Sequence, residues 1–438
     1  MKEKNILAVT PPMGWNSWDC YGASVTEVEL LANARYMKEH LLQYGWEYVV
    51  CDIQWYEPSA DSSEYHDFVP LCMDEYSRLI PAEGRFPSAA GGRGFGVIAE
   101  QIHEMGLKFG IHIMRGIPRQ AVHGNTRIKG SKAGARDIAQ RFSVCSWNTD
   151  MYGIDGFAIG AQAYYDSIFE LYAEWGVDFV KVDDICNTFF SPQNPYSAEY
   201  EIEMIRAAID KCGRNIVLSL SPGPAEVERE KHLSQNANMW RMTGDFWDRW
   251  EDLYVMFEKC KIWSPYVKEG CWPDCDMLPL GHIAIRGAEH GMGARYTKFT
   301  REEQQTMMTL WCIFRSPLMF GGNLCDNDEW TNSLLTNEEV LRLLGHSYGA
   351  AEVARSYGKE TVIWKSWDED GSCYVAVFNN YCLGREIELS LSRVGMEDTE
   401  YYIRDLWLKQ DLGIAKNSIM IQIPTHGVRL LRLRQKYS

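Results

Sequence analysis

The chain has 438 residues, of which 46% are hydrophobic and 24% charged, which excludes a disordered chain and suffices for one large domain and a smaller one. A formal net charge of −16 argues against a polyanionic partner, because phosphate backbones are bound by clustered Lys and Arg; no nucleic-acid partner is expected. No apolar run is long enough to span a bilayer and no secretory apolar segment opens the chain, so no membrane partner is expected and the sequence reads as cytoplasmic.

Thirteen cysteines, an odd and scattered count, suit reduced thiols better than a disulfide framework. From about residue 10 to residue 325, short apolar runs alternate with amphipathic stretches, the pattern of β/α units. Strands are expected at 48–52, 108–114, 177–183, 215–220, 238–243 and 317–320. Helices are expected at 25–42, 96–104, 161–175 and 198–212, the first capped by Ser24 or Thr26 and stopped before Gly45. The run VDFVKVD at 177–183 is apolar until its polar end, as a strand covered on both faces should be. Four runs finish on polar residues, Asp52, Asp183, Ser221 and Arg241; in a TIM barrel the catalytic groups sit at such strand ends. Beyond about residue 345 the helical period gives way to β-rich segments at 361–367, 373–379, 387–391 and 419–423, followed by a mixed apolar and basic tail at 427–433. The expected fold is α/β: a TIM (β/α)8 barrel over 1–340 with a C-terminal antiparallel β-sandwich domain over 345–438.

Two segments carry the chemistry. In Lys181-Val182-Asp183-Asp184 the alternation of a strand puts Lys181 and Asp183 on one face. An ammonium there keeps a carboxylate ionised as a nucleophile, and its spare donors can hold a substrate hydroxyl. A salt bridge that merely caps a strand end is the alternative. The segment Trp240 to Asp248 (WRMTGDFWD) sets Arg241 and Asp245 among aromatics, surroundings that raise a carboxyl pKa towards proton donation. N-capping of the next helix by Asp245 is the alternative there. Asp183 and Asp245 must come from different strands, and two carboxylates in different environments at one mouth are what glycoside hydrolysis requires. The clusters at 271–277 (CWPDCDM) and 52–55 (DIQW) are further strand-end candidates. A metal reading would gather Asp52, His112, Asp183, Asp184, Asp274 and Asp276, but no zinc or calcium spacing supports it, and Cys271 and Cys275 lack a second pair.

Six segments in this order, PMGWNSW at 12–18, YVVCD at 48–52, GLKFGI at 106–111, KVD at 181–183, Trp240-Arg241 followed by Asp245, and DCDML at 274–278, resemble glycoside hydrolase family 27 over nearly the whole chain. This is the group of α-galactosidases and α-N-acetylgalactosaminidases, with some β-L-arabinopyranosidases. The resemblance implies a barrel with a C-terminal β domain, no cofactor and no metal, a glycoside or oligosaccharide substrate, and a retaining double displacement; a homo-oligomer is compatible with it. It assigns Asp183 as nucleophile and Asp245 as acid/base, and Trp18, Asp52, Lys181, Arg241 and Asp276 to sugar binding. Four positions depart from the family's pattern. Ile53 stands where α-galactosidases carry a second Asp that holds the hydroxyls at positions 4 and 6. Ser221, in SLSPGPA at 219–225, stands where they usually carry a Glu near the C2 substituent. His112 replaces a common Tyr, and Gln54 a Cys that is usually disulfide-bonded in secreted members.

The sequence therefore ranks a β-L-arabinopyranosidase with α-galactosidase activity first, a conventional α-galactosidase second and an α-N-acetylgalactosaminidase third. A catalytically inactive carbohydrate-binding protein is the alternative of another class. It would need Trp18, Lys181 and Arg241 but not both acids.

Overall fold

The computed structural model describes residues 3–287, 292–356, 358 and 360–436. The chain divides into two compact units. The first, made of Met1–Asp245, Glu269–Thr297 and Leu318–Asn327, is built on eight parallel strands. They are β1 (Met13–Asn16), β2 (Tyr48–Cys51), β3 (Lys108–Met114), β4 (Phe179–Asp183), β5 (Val217–Leu220), β6 (Met239–Arg241), β7 (Trp272–Asp274) and β8 (Leu318–Phe320). Neighbours in the chain are neighbours in the sheet, and β8 returns to pair with β1. Beyond β7, Leu278 forms a parallel bridge to Phe320, with its N–H 2.7 Å from the Met319 carbonyl oxygen; this closes the curl into a barrel.

Almost every strand residue is buried, which is why the strands read as apolar runs rather than as alternating ones. Helices α1 (Glu27–His40), α2 (Gly96–Glu104), α3 (Ala161–Glu174) and α4 (Glu199–Lys211) lie in the connections. The first begins at Thr26, whose N–H and hydroxyl both donate to the Glu29 carboxylate at 3.0 and 2.8 Å. The sequence pattern puts α2 and β3 at their observed bounds. It does not resolve β1 and β7 as strands, because four and three residues are too few to show a period.

The parallel register sets which side chains share the barrel mouth. His112 pairs with Lys181, Met114 with Asp183, and Lys181 with Ser219. Three of the strand ends then turn through left-handed residues that are not glycine, Gln54, Asp184 and Asp276, with φ of 60°, 53° and 83°.

The second unit holds Phe246–Lys268, Lys298–Pro317 and Asp328–Ser438. It contains helices at Trp250–Trp263, Arg301–Phe314, Glu329–Leu335 and Glu338–His346 and two antiparallel sheets. Six strands form one sheet in the order Ser347–Ser356, Thr361–Asp368, Cys373–Asn379, Val428–Gln435, Tyr401–Asp405, Gln410–Ala415; Arg385–Ser390 and Ser418–Ile423 form the other. Val375, Val377, Leu431 and Leu433 of the larger sheet and Leu389, Ile421 and Ile423 of the smaller one share one apolar core, the arrangement of a sandwich. Among the described residues no helix is long and apolar enough to cross a membrane.

Gly14 gives the fold a direct test. It lies opposite Tyr48 in the β1–β2 pairing, and a Cβ built on it would run into the Tyr48 carbonyl oxygen and sit 2.7 Å from the Tyr48 Cβ. Backbone cannot yield as a side-chain tip can, so Gly14→Ala should lower the urea midpoint by the equivalent of about 1–3 kcal/mol. An unchanged midpoint would mean that β1 is not held as described.

Candidate active site

Asp52 follows β2 directly, and its carboxylate is held on every side. Asn16 Nδ2 and Lys181 Nζ donate to Oδ2 at 2.7 and 3.0 Å, and the Ile53 N–H donates to Oδ1 at 2.9 Å. Burial raises the pKa of such a group, yet Lys181 and these hydrogen bonds outweigh it and keep Asp52 well below the usual carboxylate range. The same exchange keeps Lys181 firmly protonated despite its own burial.

Asp183 ends β4. The Asp184 N–H donates to its Oδ1 at 3.0 Å, and His112 Nε2 lies 3.1 Å from its Oδ2. An ionised carboxylate can only accept, so His112 carries its proton on Nε2; the Nδ1 atom, buried and without a hydrogen-bond partner among the described residues, fits that tautomer. Burial works against ionisation of Asp183, but the His112 hydrogen bond and the Lys181 charge prevail and lower its pKa. A carboxylate kept ionised, presented at a strand end and only 9% exposed, is suited to nucleophilic attack.

Arg241 ends β6 and bridges two acids, with Nη2 to Asp245 Oδ1 and Nη1 to Asp276 Oδ1, both at 2.9 Å. Asp245 does not occupy the apolar surroundings expected for it. Its side chain is 65% exposed, because the chain has left β6 and turned outward at Gly244, and its partner is Arg241. Nor does it cap the following helix, whose N-cap is Arg249.

These residues converge. Asn16, Lys181, Ser219, Arg241, Asp274 and Asp276 line one pocket, and the Tyr65 hydroxyl is close enough to Asp183, Asp52 and Asp245 for all three to act on it. Trp18 is half-buried and stacks on Tyr65, with ring centroids 6.0 Å apart and planes at 18°. Ile53 is 2% exposed beside Asp52. Ser221 works mainly through its backbone. Its N–H donates to the Val182 carbonyl and its carbonyl accepts from Ile185 and Cys186, while its hydroxyl is buried without a partner among the described residues. The loop after it presses on β6, since a Cβ at Gly223 would meet the Arg241 and Thr243 carbonyls.

Sequence reasoning missed Asn16, Tyr65, Trp147 and Arg115. Asn16 sits inside a quoted motif but has no role assigned by it. Arg115 lies one residue past β3, fully buried, with its guanidinium 2.8 Å from Asp184 and 3.1 Å from Glu201; its N–H donates to the Asp183 carbonyl at 3.0 Å. It braces the turn that follows Asp183. Among the described residues no group of His, Cys, Asp or Glu is arranged to hold a metal ion, and no disulfide joins any of the thirteen cysteines.

Comparisons with known proteins identify the family. The family model described as alpha galactosidase A matches residues 155–344, and that of the alpha galactosidase C-terminal beta sandwich domain matches 358–433. A GH27 β-L-arabinopyranosidase of Geobacillus stearothermophilus is 58% identical, with a TM-score of 0.97 over 99% of this chain and 98% of that one; a variant of it has been captured with arabinose. A candidate α-N-acetylgalactosaminidase of Bacillus halodurans is 51% identical, with a TM-score of 0.88 over 98% of both chains. Alpha-galactosidase 2 of Arabidopsis thaliana is 24% identical over 100% of this chain and 92% of its own.

Asp184 offers a check on the electrostatics. Burial, against the pull of Arg115, pushes its carboxyl up to about 6. A carboxyl whose pKa is higher folded than unfolded binds more protons in the folded state between the two values, so its contribution to stability falls as pH rises from about 4 to about 6. Asp184→Asn should remove that fall, and the difference in unfolding free energy between variant and parent should shift by about 3 kcal/mol in the variant's favour between about pH 4 and about pH 7. Parallel curves would refute the assignment.

Proposed function

Since the chain belongs to glycoside hydrolase family 27, we propose that this glycosidase is a retaining exo-β-L-arabinopyranosidase that also accepts α-D-galactosides. Asp183 attacks the anomeric carbon while Asp245 protonates the departing oxygen, and Asp245 then activates the water that releases the sugar. The environments of the two acids support these roles. Asp183 is buried and held ionised by His112 and Lys181, whereas Asp245 is largely exposed and is oriented by Arg241. Lys181 gives one hydrogen bond to Asp52 and has further donors for ring hydroxyls, and Arg241 and Asp276, paired at 2.9 Å, line the same pocket.

Ile53 is the observation that carries the choice of sugar. A second acid beside Asp52 would accept a hydrogen bond from a C6 hydroxyl; an isoleucine cannot, and it takes up space. β-L-Arabinopyranose has the ring configuration of α-D-galactose without that CH2OH group. The 58% identity to an arabinopyranosidase supports the same reading. The small Ser221 and the 51% identical relative keep α-N-acetylgalactosaminides as the second substrate to test. The division of the chain into a catalytic barrel over 1–340 and a β domain over 345–438 is part of this proposal.

Purified enzyme should hydrolyse nitrophenyl β-L-arabinopyranoside with a higher kcat/KM than the α-D-galactoside or the α-N-acetylgalactosaminide; the reverse order would sink the assignment. Ile53→Asp should move the galactoside-to-arabinopyranoside ratio by about 10- to 200-fold towards galactose. Asp183→Asn should lower kcat at least about a thousandfold, and any product rescued by azide should carry inverted configuration. Turnover that survived this change would remove Asp183 from the mechanism.

A further inference from the structure

Connections between a barrel strand and its helix commonly take about 2–6 residues, yet those at 52–95 and 115–160 are many times longer, a length that usually marks binding loops. The two are fastened to each other. Asp150 accepts from Gln54 Nε2 at 2.9 Å and from the Tyr56 hydroxyl at 3.1 Å, and the Thr149 hydroxyl donates to Asp67 at 2.6 Å. Leu71 and Gln120 exchange two more hydrogen bonds at 2.8 and 3.0 Å.

Each connection delivers one aromatic ring to the barrel mouth. Tyr65 comes from the first and Trp147 from the second, with centroids 5.8 Å apart, and Tyr65 also stacks on Trp18 at 6.0 Å. All three side chains are only partly buried. The Tyr65 hydroxyl has no hydrogen-bond partner among the described residues, although Asp183 and Asp52 lead the charges that act on it. A phenol held by ring contacts within the field of these carboxylates, with its donor unused, is placed to serve a ligand.

We propose that Tyr65 and Trp147 complete the sugar pocket as an aromatic cap with Trp18, in which Tyr65 donates to a hydroxyl of a neutral pyranose and closes the end of the pocket shared by Asp52 and Ile53. Tyr65 is then a second determinant of sugar choice, acting from a loop rather than from a strand end. The cap covers the ring at the position where a C5 substituent would project, and its removal opens that space. The inference rests on the glycosidase reading above for the orientation of the sugar, but not for the presence of the cap.

The test combines kinetics and binding. With nitrophenyl glycosides, Tyr65→Ala should raise KM for the β-L-arabinopyranoside at least tenfold and raise the galactoside-to-arabinopyranoside ratio of kcat/KM at least fivefold. Tyr65→Phe should leave that ratio within twofold while raising KM severalfold, because it keeps the ring and loses the donor. Calorimetric titration of L-arabinose into Asp183→Asn protein, with and without Tyr65→Ala, should show affinity weakened at least tenfold. Should Tyr65→Ala fail to fold, Tyr65→Phe and Trp147→Ala must still raise KM. The inference is overturned if KM, the ratio and L-arabinose affinity all stay within twofold of the parent, or if the parent binds no L-arabinose. Failure of the glycosidase reading looks different: the parent binds L-arabinose, and loses it on Tyr65→Ala, but cleaves none of the glycosides.

Discussion

A single ammonium set among carboxylates organises the barrel mouth. Lys181, only 14% exposed, stands 3.0 Å from Asp52 and one alternate position before Asp183 on the same strand. Without a cation there, burial would weigh against ionisation of both carboxylates, which stand at the ends of β2 and β4 with β3 between them. The pairing also accounts for the neighbours. Asn16 and the Ile53 amide also donate to Asp52, giving it three hydrogen bonds with Lys181, while His112 and the Asp184 amide donate to Asp183 and leave about half of its acceptor capacity open.

Arg241, which lines the same pocket, plays a corresponding part with a different balance. It is buried, but one of its two carboxylates, on Asp245, is in water. Solvent screens that half of the clamp, so the Arg241–Asp245 pair is held less firmly than the buried Arg241–Asp276 pair. The two acids are thus distinguished by where the chain leaves the strand: Asp183 is the last residue of β4, and Asp245 lies four residues past β6.

What the sequence disclosed follows from the same geometry. Strand ends were legible because a buried apolar run that stops on Lys-Val-Asp or Trp-Arg brings charge to the edge of a core, where it costs free energy unless it is paired. Long helices such as α2 and α3 show a full period. Strands of three or four residues, β1 and β7, carry no period, and their positions depend on partners far away in the chain. Asp245 reads as an acid among aromatics because Phe246 and Trp247 follow it, but adjacency in sequence does not put a side chain in contact with its neighbours. Tyr65, Trp147 and Arg115 were not legible at all, since irregular connections have no period and their meeting is decided by hydrogen bonds between loops. His112 was visible as a substitution and as a member of the metal reading, and its bond to Asp183 follows from the β3–β4 register.

The left-handed turns at Gln54, Asp184 and Asp276 bear on how this molecule could be made tougher. Each holds a side-chain-bearing residue in a backbone state that costs on the order of 1 kcal/mol, and each lies within two residues of a carboxylate that must point at one place. Glycine would relieve the strain and at the same time loosen the aim, so a search for heat tolerance that scores folding alone will be drawn to these turns first. The helices and the β-sandwich offer gains that leave the mouth untouched; here, rigidity and ease of folding are opposing demands on the same three residues.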